Sequence, residues 1–329
     1  MELAPIRLCY IVATMDIRHL RYFVAIAEEG SLSRAAERVH VAQPALSQHV
    51  RNMELDLKTE LLFRTSRGVQ LTEAGERLVA QARHLLEAFD ALPDQVRGDS
   101  VAPSGEVRFG VPGTVSQVLS ARLIKETAKR YPRIKLRVAE AMSGFILDWL
   151  REGKIDIAVL YRGIDGRGLK LSHVLSEELL LFGPADATLD DARPFRDPID
   201  YARAIALPLV VPSPGHGLRD LLDEVAAVEC GAALNADTEI DSYAPIKTLV
   251  ESGYGFSILP AMAIKAECAA GRLRAWPLAR PQIRRKVFVA TASDRPLPAA
   301  AVAIEALCHD ILRQLVIEGT WDASLAEAS

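Results

Sequence analysis

The stretch RHLRYFVAIAEEGSLSRAAERVHVAQPALSQHVRNMELDLKTELLFRTSRGVQLTEAG, residues 18–75, decides the fold. Leu20, Phe23, Val24 and Ala27 recur at three- and four-residue spacing, the period of an amphipathic helix, and Gly30 stands where a helix closes. Ser31 or Ser33 can cap a second helix, whose Ala35, Ala36 and Val39 form an inner face small enough for close helix approach; it ends near His40. After the turn Val41-Ala42, Pro44 sits in a first turn that tolerates proline, and Leu46, Val50, Met53 and Leu57 form a stripe expected to be buried. Gln43, Ser47, Gln48 and Arg51 share the opposite face. Gln suits adenine edges, Arg suits guanine or phosphate, and a helix start favours phosphate. Alone, such a face is as readily the solvated side of a core helix. The next segment tips the balance, because Leu61–Arg64 and Gly68–Leu71 are strand-like runs joined by Thr65-Ser66-Arg67. They read as a wing carrying Arg64 and Arg67 for phosphate or minor-groove contact.

From Arg18 to Gly75 the sequence resembles the DNA-binding segment of LysR-type transcriptional regulators. It is most similar in look to the nitrogen assimilation control subgroup, whose "HxAQPALSQ" and "LLxRTxRGVxLTEAG" strings match His40–Gln48 and Leu61–Gly75. Many relatives have Ser or Thr where this chain has Ala42, a lost capping hydroxyl worth about 0.5–2 kcal/mol. The resemblance implies a winged helix-turn-helix over residues 15–73 whose DNA-binding residues are Gln43, Pro44, Ser47, Gln48, Arg51, Arg64 and Arg67. It also implies operator DNA, RNA polymerase and further copies of the chain, as a dimer or homotetramer, for partners.

Working outward, Leu78, Ala82, Leu85, Phe89 and Leu92 alternate by threes and fours in a helix assigned to residues 74–98, with Pro93 expected to end it. Val79 and Leu86 widen the stripe, so the helix can serve its own domain, a partner copy, or both. Gln95 to Gly105 has the composition of a hinge, placed at 99–104. Upstream, residues 1–14 are expected to be an unstructured extension. Their apolar patch Leu8–Ala13 is too short and badly flanked for a signal peptide or membrane span, and the helical pattern begins at Met15.

Beyond residue 105 strand and helix patterns alternate: Val107–Val111, Val118–Arg130, Lys135–Ala139, Phe145–Arg151 and Ile155–Leu160. Glu178–Phe182, Leu207–Val211, Leu218–Val228, Ala244–Ser252 and Phe256–Leu259 make a second set, and Val287–Ala292 with Ala299–Leu315 returns to the first. The expected fold is therefore a two-lobed α/β effector domain over 105–329, with lobe I at 105–176 and 276–318 and lobe II at 177–275. The two crossings leave an interlobe cleft. The LysR resemblance continues more loosely through "GEVRFGVP", "GKIDIAVLY" and "ESGYGFSILP", and implies a periplasmic-binding-protein-like domain. By position in such strings the effector candidates are Gly113, Thr114, Val115 and Ser116, then Ser143 and Gly144, then Ser213, Pro214, Gly215 and His216, with Asp241 and Ser242 as a fourth group. Hydroxyls and glycine N–H groups at helix starts suit a small anionic metabolite, although N-capping alone accounts for any one of them.

The whole chain constrains these readings. It has 329 residues, half of them hydrophobic, enough for several cored domains, and a net charge of −4, so DNA contact must be local. Cys9, Cys230, Cys268 and Cys308 are scattered without a CxxC pair, which indicates neither a disulfide framework nor a zinc site and fits the cytoplasm. Neither GxSxG nor HExxH occurs, so no enzymatic activity and no cofactor is expected. A free-standing solute-binding protein conflicts with the attached reader. Two alternatives keep the fold: regulation without effector, and a redox switch at Cys230 and Cys268.

Overall fold

A computed structural model describes residues 15–65, 68–97, 102–161, 166–189 and 197–326. The expected extension at 1–14, Arg67 of the wing and residues 99–101 of the expected hinge lie outside the described residues. The chain divides into two compact units, one N-terminal and one beginning at Pro103.

In the first unit, α1 spans Ile17–Glu29, α2 Leu32–Arg38 and α3 Gln43–Leu57. Asp16 caps α1 by accepting from the Arg18 and His19 amides at 2.8 and 3.0 Å, and Gly30 closes it in the left-handed region at φ 59°. Ser31, rather than Ser33, caps α2. Strands β1 (Leu62–Thr65) and β2 (Gly68–Leu71) pair antiparallel as the wing, and α4 runs Glu73–Arg97. Phe23, Ile26, Ala35, Leu46, Val50, Met53, Leu61 and Val79 are buried together as the core. Leu57, expected in that stripe, is 40% exposed instead; α3 ends there, where the chain turns through left-handed Lys58. Pro93 does not end α4, which continues to Arg97. A helical proline loses one backbone rung and can kink a helix without stopping it.

Backbone contacts fix the wing against the helices. The Val69 amide donates to the Gly30 carbonyl at 3.0 Å, and a Cβ on Gly68, at φ 130°, would lie 2.4 Å from that oxygen. A Cβ on Gly75 would lie 2.2 Å from the Leu61 carbonyl. Thr72 donates to the Glu60 carbonyl and accepts from the Gly75 amide, joining the end of the wing to the start of α4.

In the second unit, β3 (Gly105–Val111), α5 (Gly113–Arg130), β4 (Ile134–Glu140), α6 (Ser143–Arg151) and β5 (Ile157–Tyr161) come first. The long strand β6 (Leu169–Pro184) leads into β7 (Ile199–Asp200), α7 (Tyr201–Ala204), β8 (Leu209–Val211) and α8 (Gly217–Val225), which ends in a π-turn, Ala226–Cys230. Then follow β9 (Ala236–Glu239), α9 (Tyr243–Glu251), β10 (Ser257–Pro260), α10 (Ala261–Ala269), β11 (Leu273–Ala279), β12 (Arg284–Ala292), α11 (Ala299–Ile317) and β13 (Ala323–Leu325). Strands β4-β3-β5-β12-β6-β11-β7 form one sheet in that order, with β10 and β13 also paired to β6. Two large cores sit on it, beside a smaller cluster of Ile146, Leu150, Ile155, Ala158, Leu160 and Ala290. Phe109, Leu119, Val159, Leu175, Val289, Ile304 and Trp321 belong to one, and Leu181, Phe182, Leu209, Leu222, Ile246, Leu259 and Trp276 to the other. Strand β6 is buried in both, and β12 returns beside it antiparallel. Trp276, Leu278 and Ile283 pack in the second core, so the return crossing falls after Ile283 rather than at 276. The first lobe extends past 318, because Trp321 is buried in it and β13 pairs with β6.

Gly75→Ala pushes a Cβ into a backbone carbonyl that cannot rotate away, and is expected to destabilise the N-terminal unit by about 1–3 kcal/mol in chemical denaturation. Gly144→Ala, with open space around its Cβ position, is the control that should change little.

Candidate functional site

Two sites emerge, one in each unit. In the N-terminal unit Gln43, Pro44, Gln48 and Arg51 are exposed along α3, with Ser47 half-buried beside them. Arg64 on β1 donates to the Ser47 hydroxyl at 3.1 Å, so wing and helix present a continuous polar surface. Glu54, which the sequence reading passed over, accepts from the Leu61 and Leu62 amides at 2.9 and 3.2 Å and sets where the wing leaves α3. Its signal was a carboxylate one turn from the apolar stripe. Ala42 makes no side-chain cap, so the Gln43 and Ala45 amides at the α3 start have no capping oxygen and point outward as donors. On α4, Val79, Ala82 and Leu86 are buried in the head's own core, whereas Leu85, Phe89 and Leu92 are 48–57% exposed. The widened stripe thus divides into an inward and an outward face.

In the second unit a cavity of about 400 Å³ opens where the two crossing strands change lobes. Its wall includes Gly113 and Thr114 at the α5 start, Ser143 at the α6 start, His216 before α8, and Asp241 and Ser242 before α9. A second compartment of about 670 Å³ shares Ser143 and Tyr161 with it and adds Gly144 and Gly215. The other candidates are placed differently. Val115 is fully buried in the first core, because α5 turns it inward, and Ser116 bonds Ser120 at 3.0 Å. Neither residue lines the cavities, nor do Ser213 and Pro214.

The turn 213–217 was expected to offer free N–H groups to an anion. The protein already occupies most of them: the Ser213 amide donates to Asp241 and the Gly215 amide to Asp220, both at 2.9 Å. The His216 amide donates to the Ser213 carbonyl, and the Leu218 amide to His216 Nδ1 at 3.2 Å.

Sequence reasoning missed the floor of the cavity. Arg285 lines it while only 2% exposed, and its Nε donates to Glu177 Oε1 at 2.8 Å. Glu177, wholly buried, also accepts from Trp321 Nε1 at 3.0 Å. The guanidinium carbon stands 3.5 Å from the Tyr161 ring centroid, a cation–π contact, and the Arg285 charge also acts on the Tyr243 hydroxyl. Tyr161 shares a 2.6 Å hydrogen bond with Thr114. Burial pushes both tyrosine pKa values up, and burial with the nearby Arg285 charge lowers that of His216, leaving a neutral imidazole at pH 7. The missed signal was phase. Arg285 is in phase with inward Val287 and Val289, and Glu177 with Leu175, Leu179 and Leu181, so both charges occupy core positions.

Residues 17–76 match the description "Bacterial regulatory helix-turn-helix protein, lysR family", and residues 101–313 match "LysR substrate binding domain". The nitrogen assimilation regulatory protein nac of Escherichia coli (strain K12) is 30% identical over 307 residues, 92% of this chain and 97% of that protein. The DNA-binding transcriptional dual regulator OxyR of the same organism is 30% identical over 285 residues, 86% of this chain and 91% of its own length. The solved structure of a full-length OxyR variant from Pseudomonas aeruginosa superposes with a TM-score of 0.75 at 25% identity, covering 96% of this chain and 99% of that one. A winged helix-turn-helix head followed by a two-lobed periplasmic-binding-protein-like domain, matched along both parts, makes this chain a member of the LysR family of DNA-binding transcriptional regulators.

Proposed function

We propose that this regulator binds operator DNA as a dimer, assembled further into a tetramer, and responds to a small metabolite bearing a carboxylate in the interlobe cavity. Gln43, Ser47, Gln48 and Arg51 on α3 read base edges, and Arg64 with Arg67 on the wing contact phosphate or the minor groove. The observation that carries the ligand reading is buried Arg285 at a cavity wall, held by Glu177 and two tyrosines, among helix starts that donate N–H groups. Ligand contact there shifts the lobes about the two crossing strands and changes how the operator is held.

Relatives named as hydrogen peroxide-inducible activators raise the redox alternative. Among the described thiols, burial raises the pKa of Cys268 and Cys308, which keeps them protonated and favours the ligand reading. No helix among the described residues is long and apolar enough to cross a membrane. We place the protein in the cytoplasm with its DNA, as a regulator without catalytic activity.

Arg51→Ala is expected to weaken operator binding by about 1–3 kcal/mol in fluorescence anisotropy and leave a scrambled duplex nearly unaffected. Arg64→Ala is expected to weaken both duplexes alike and reduce the salt slope. Equal losses for Arg51→Ala on the two duplexes remove that residue from base reading.

Replacing Leu85 and Phe89 together by Asp is expected to shift the protein toward monomer in sedimentation velocity without unfolding the head, because Val79, Ala82 and Leu86 keep its own core. An unchanged assembly state would take the outward face of α4 out of the dimer.

A further inference from the structure

We infer that the cavity ligand is an α-amino acid or close zwitterionic analogue, carrying an ammonium group beside its carboxylate. The inference rests on the cavity being the effector site and sharpens which molecules enter it.

The carboxylates of Glu140 and Asp241 line the same cavity as Arg285, whose own charge Glu177 already meets. A ligand therefore meets more negative than positive charge on the wall. A dicarboxylate or other plain anion must set a negative group near Glu140 or Asp241 in a site partly shielded from water, where like charges repel strongly.

The N–H donors tell the same story from the other side. The α8 start is largely spent on Asp241, Asp220 and His216. The α5 start is faced by Glu140, whose Oε1 would stand 3.0 Å from a Cβ on Gly113. Two starts remain open. The first internal bonds of α6 and α9 run from Ile146 to the Met142 carbonyl and from Ile246 to the Ser242 carbonyl, so the preceding amides have no helical acceptor. Ser242 makes no side-chain cap, and Gly144 has open space around it. The cavity thus has a positive pole, made by Arg285 and the α6 and α9 starts, and a negative pole at Glu140 and Asp241. A carboxylate and an ammonium on the same carbon satisfy both within about 400 Å³. The adjoining compartment of about 670 Å³, reached past Ser143 and Tyr161, leaves room for the side chain.

The test uses the full-length protein, thermal melting and calorimetry. Each L-amino acid with a primary α-amine is compared with its 2-oxo acid, which lacks the α-ammonium, and with its decarboxylated amine; succinate and citrate serve as plain anions. At least one amino acid is expected to raise the melting temperature and bind about tenfold or more tighter than both its analogues. Glu140→Gln is expected to weaken that amino acid by about tenfold while leaving the matched 2-oxo acid unchanged or tighter. If a 2-oxo acid or dicarboxylate binds better than any amino acid, and Glu140→Gln tightens it, the zwitterion is wrong while the cavity stands. If no compound of any class shifts melting or produces heat, the effector reading of the cavity fails, and this inference with it.

Discussion

The sensor domain is organised around one buried ion pair. Glu177 and Arg285 face each other across β6 and β12, where both strands pass from one lobe to the other. Removing two charges from water is costly, and such a pair persists only if its remaining donors and acceptors are met. Here Trp321 donates to the second Glu177 oxygen, and the Tyr161 ring packs against the guanidinium face. Loss of either charge would strand the other, a defect of about 3–5 kcal/mol. The same residues that fasten the lobes form the cavity wall, so a ligand reaching Arg285 touches the fastening directly. The C-terminal strand β13 and Trp321 are also part of it, which ties the last described turn of the chain to the cavity.

The reading head rests on a different constraint, the close approach of backbone to backbone. Gly68 and Gly75 let segments meet where a methyl group would collide with a carbonyl, and Glu54 and Thr72 bind the amides left between them. These contacts hold the wing at a fixed angle to α3. Salt bridges from Glu28 to Arg38 and Arg83, at 2.7 and 3.0 Å, then tie α1 to α2 and α4.

Legibility in the sequence followed the range of the interaction. The helix-turn-helix was readable because its information is local: apolar spacing, glycines and a wing in fixed order. Repeated strand and helix patterns likewise placed most of the sensor elements. What escaped were β7, α7, β9, α10, β11 and β13, and the true length of β6, whose polar first half pairs with β12. The cavity floor escaped for the same reason, since Glu177 and Arg285 are 108 residues apart and each looks like an ordinary surface charge until the strand register pairs them. The turn 213–217 was located correctly as a helix start, but not as one already filled, because Asp220 and Asp241 come to it through tertiary packing.

The uncapped start of α3 has one further consequence. With Ala42 in place of a hydroxyl residue, the free protein carries a helix end about 0.5–2 kcal/mol looser than a capped one, and its first amides are left to water. A capping side chain would have steadied the helix and competed with phosphate for those amides. The order of that first turn therefore depends on whatever acceptor reaches its open amides, and in the free protein that acceptor is water.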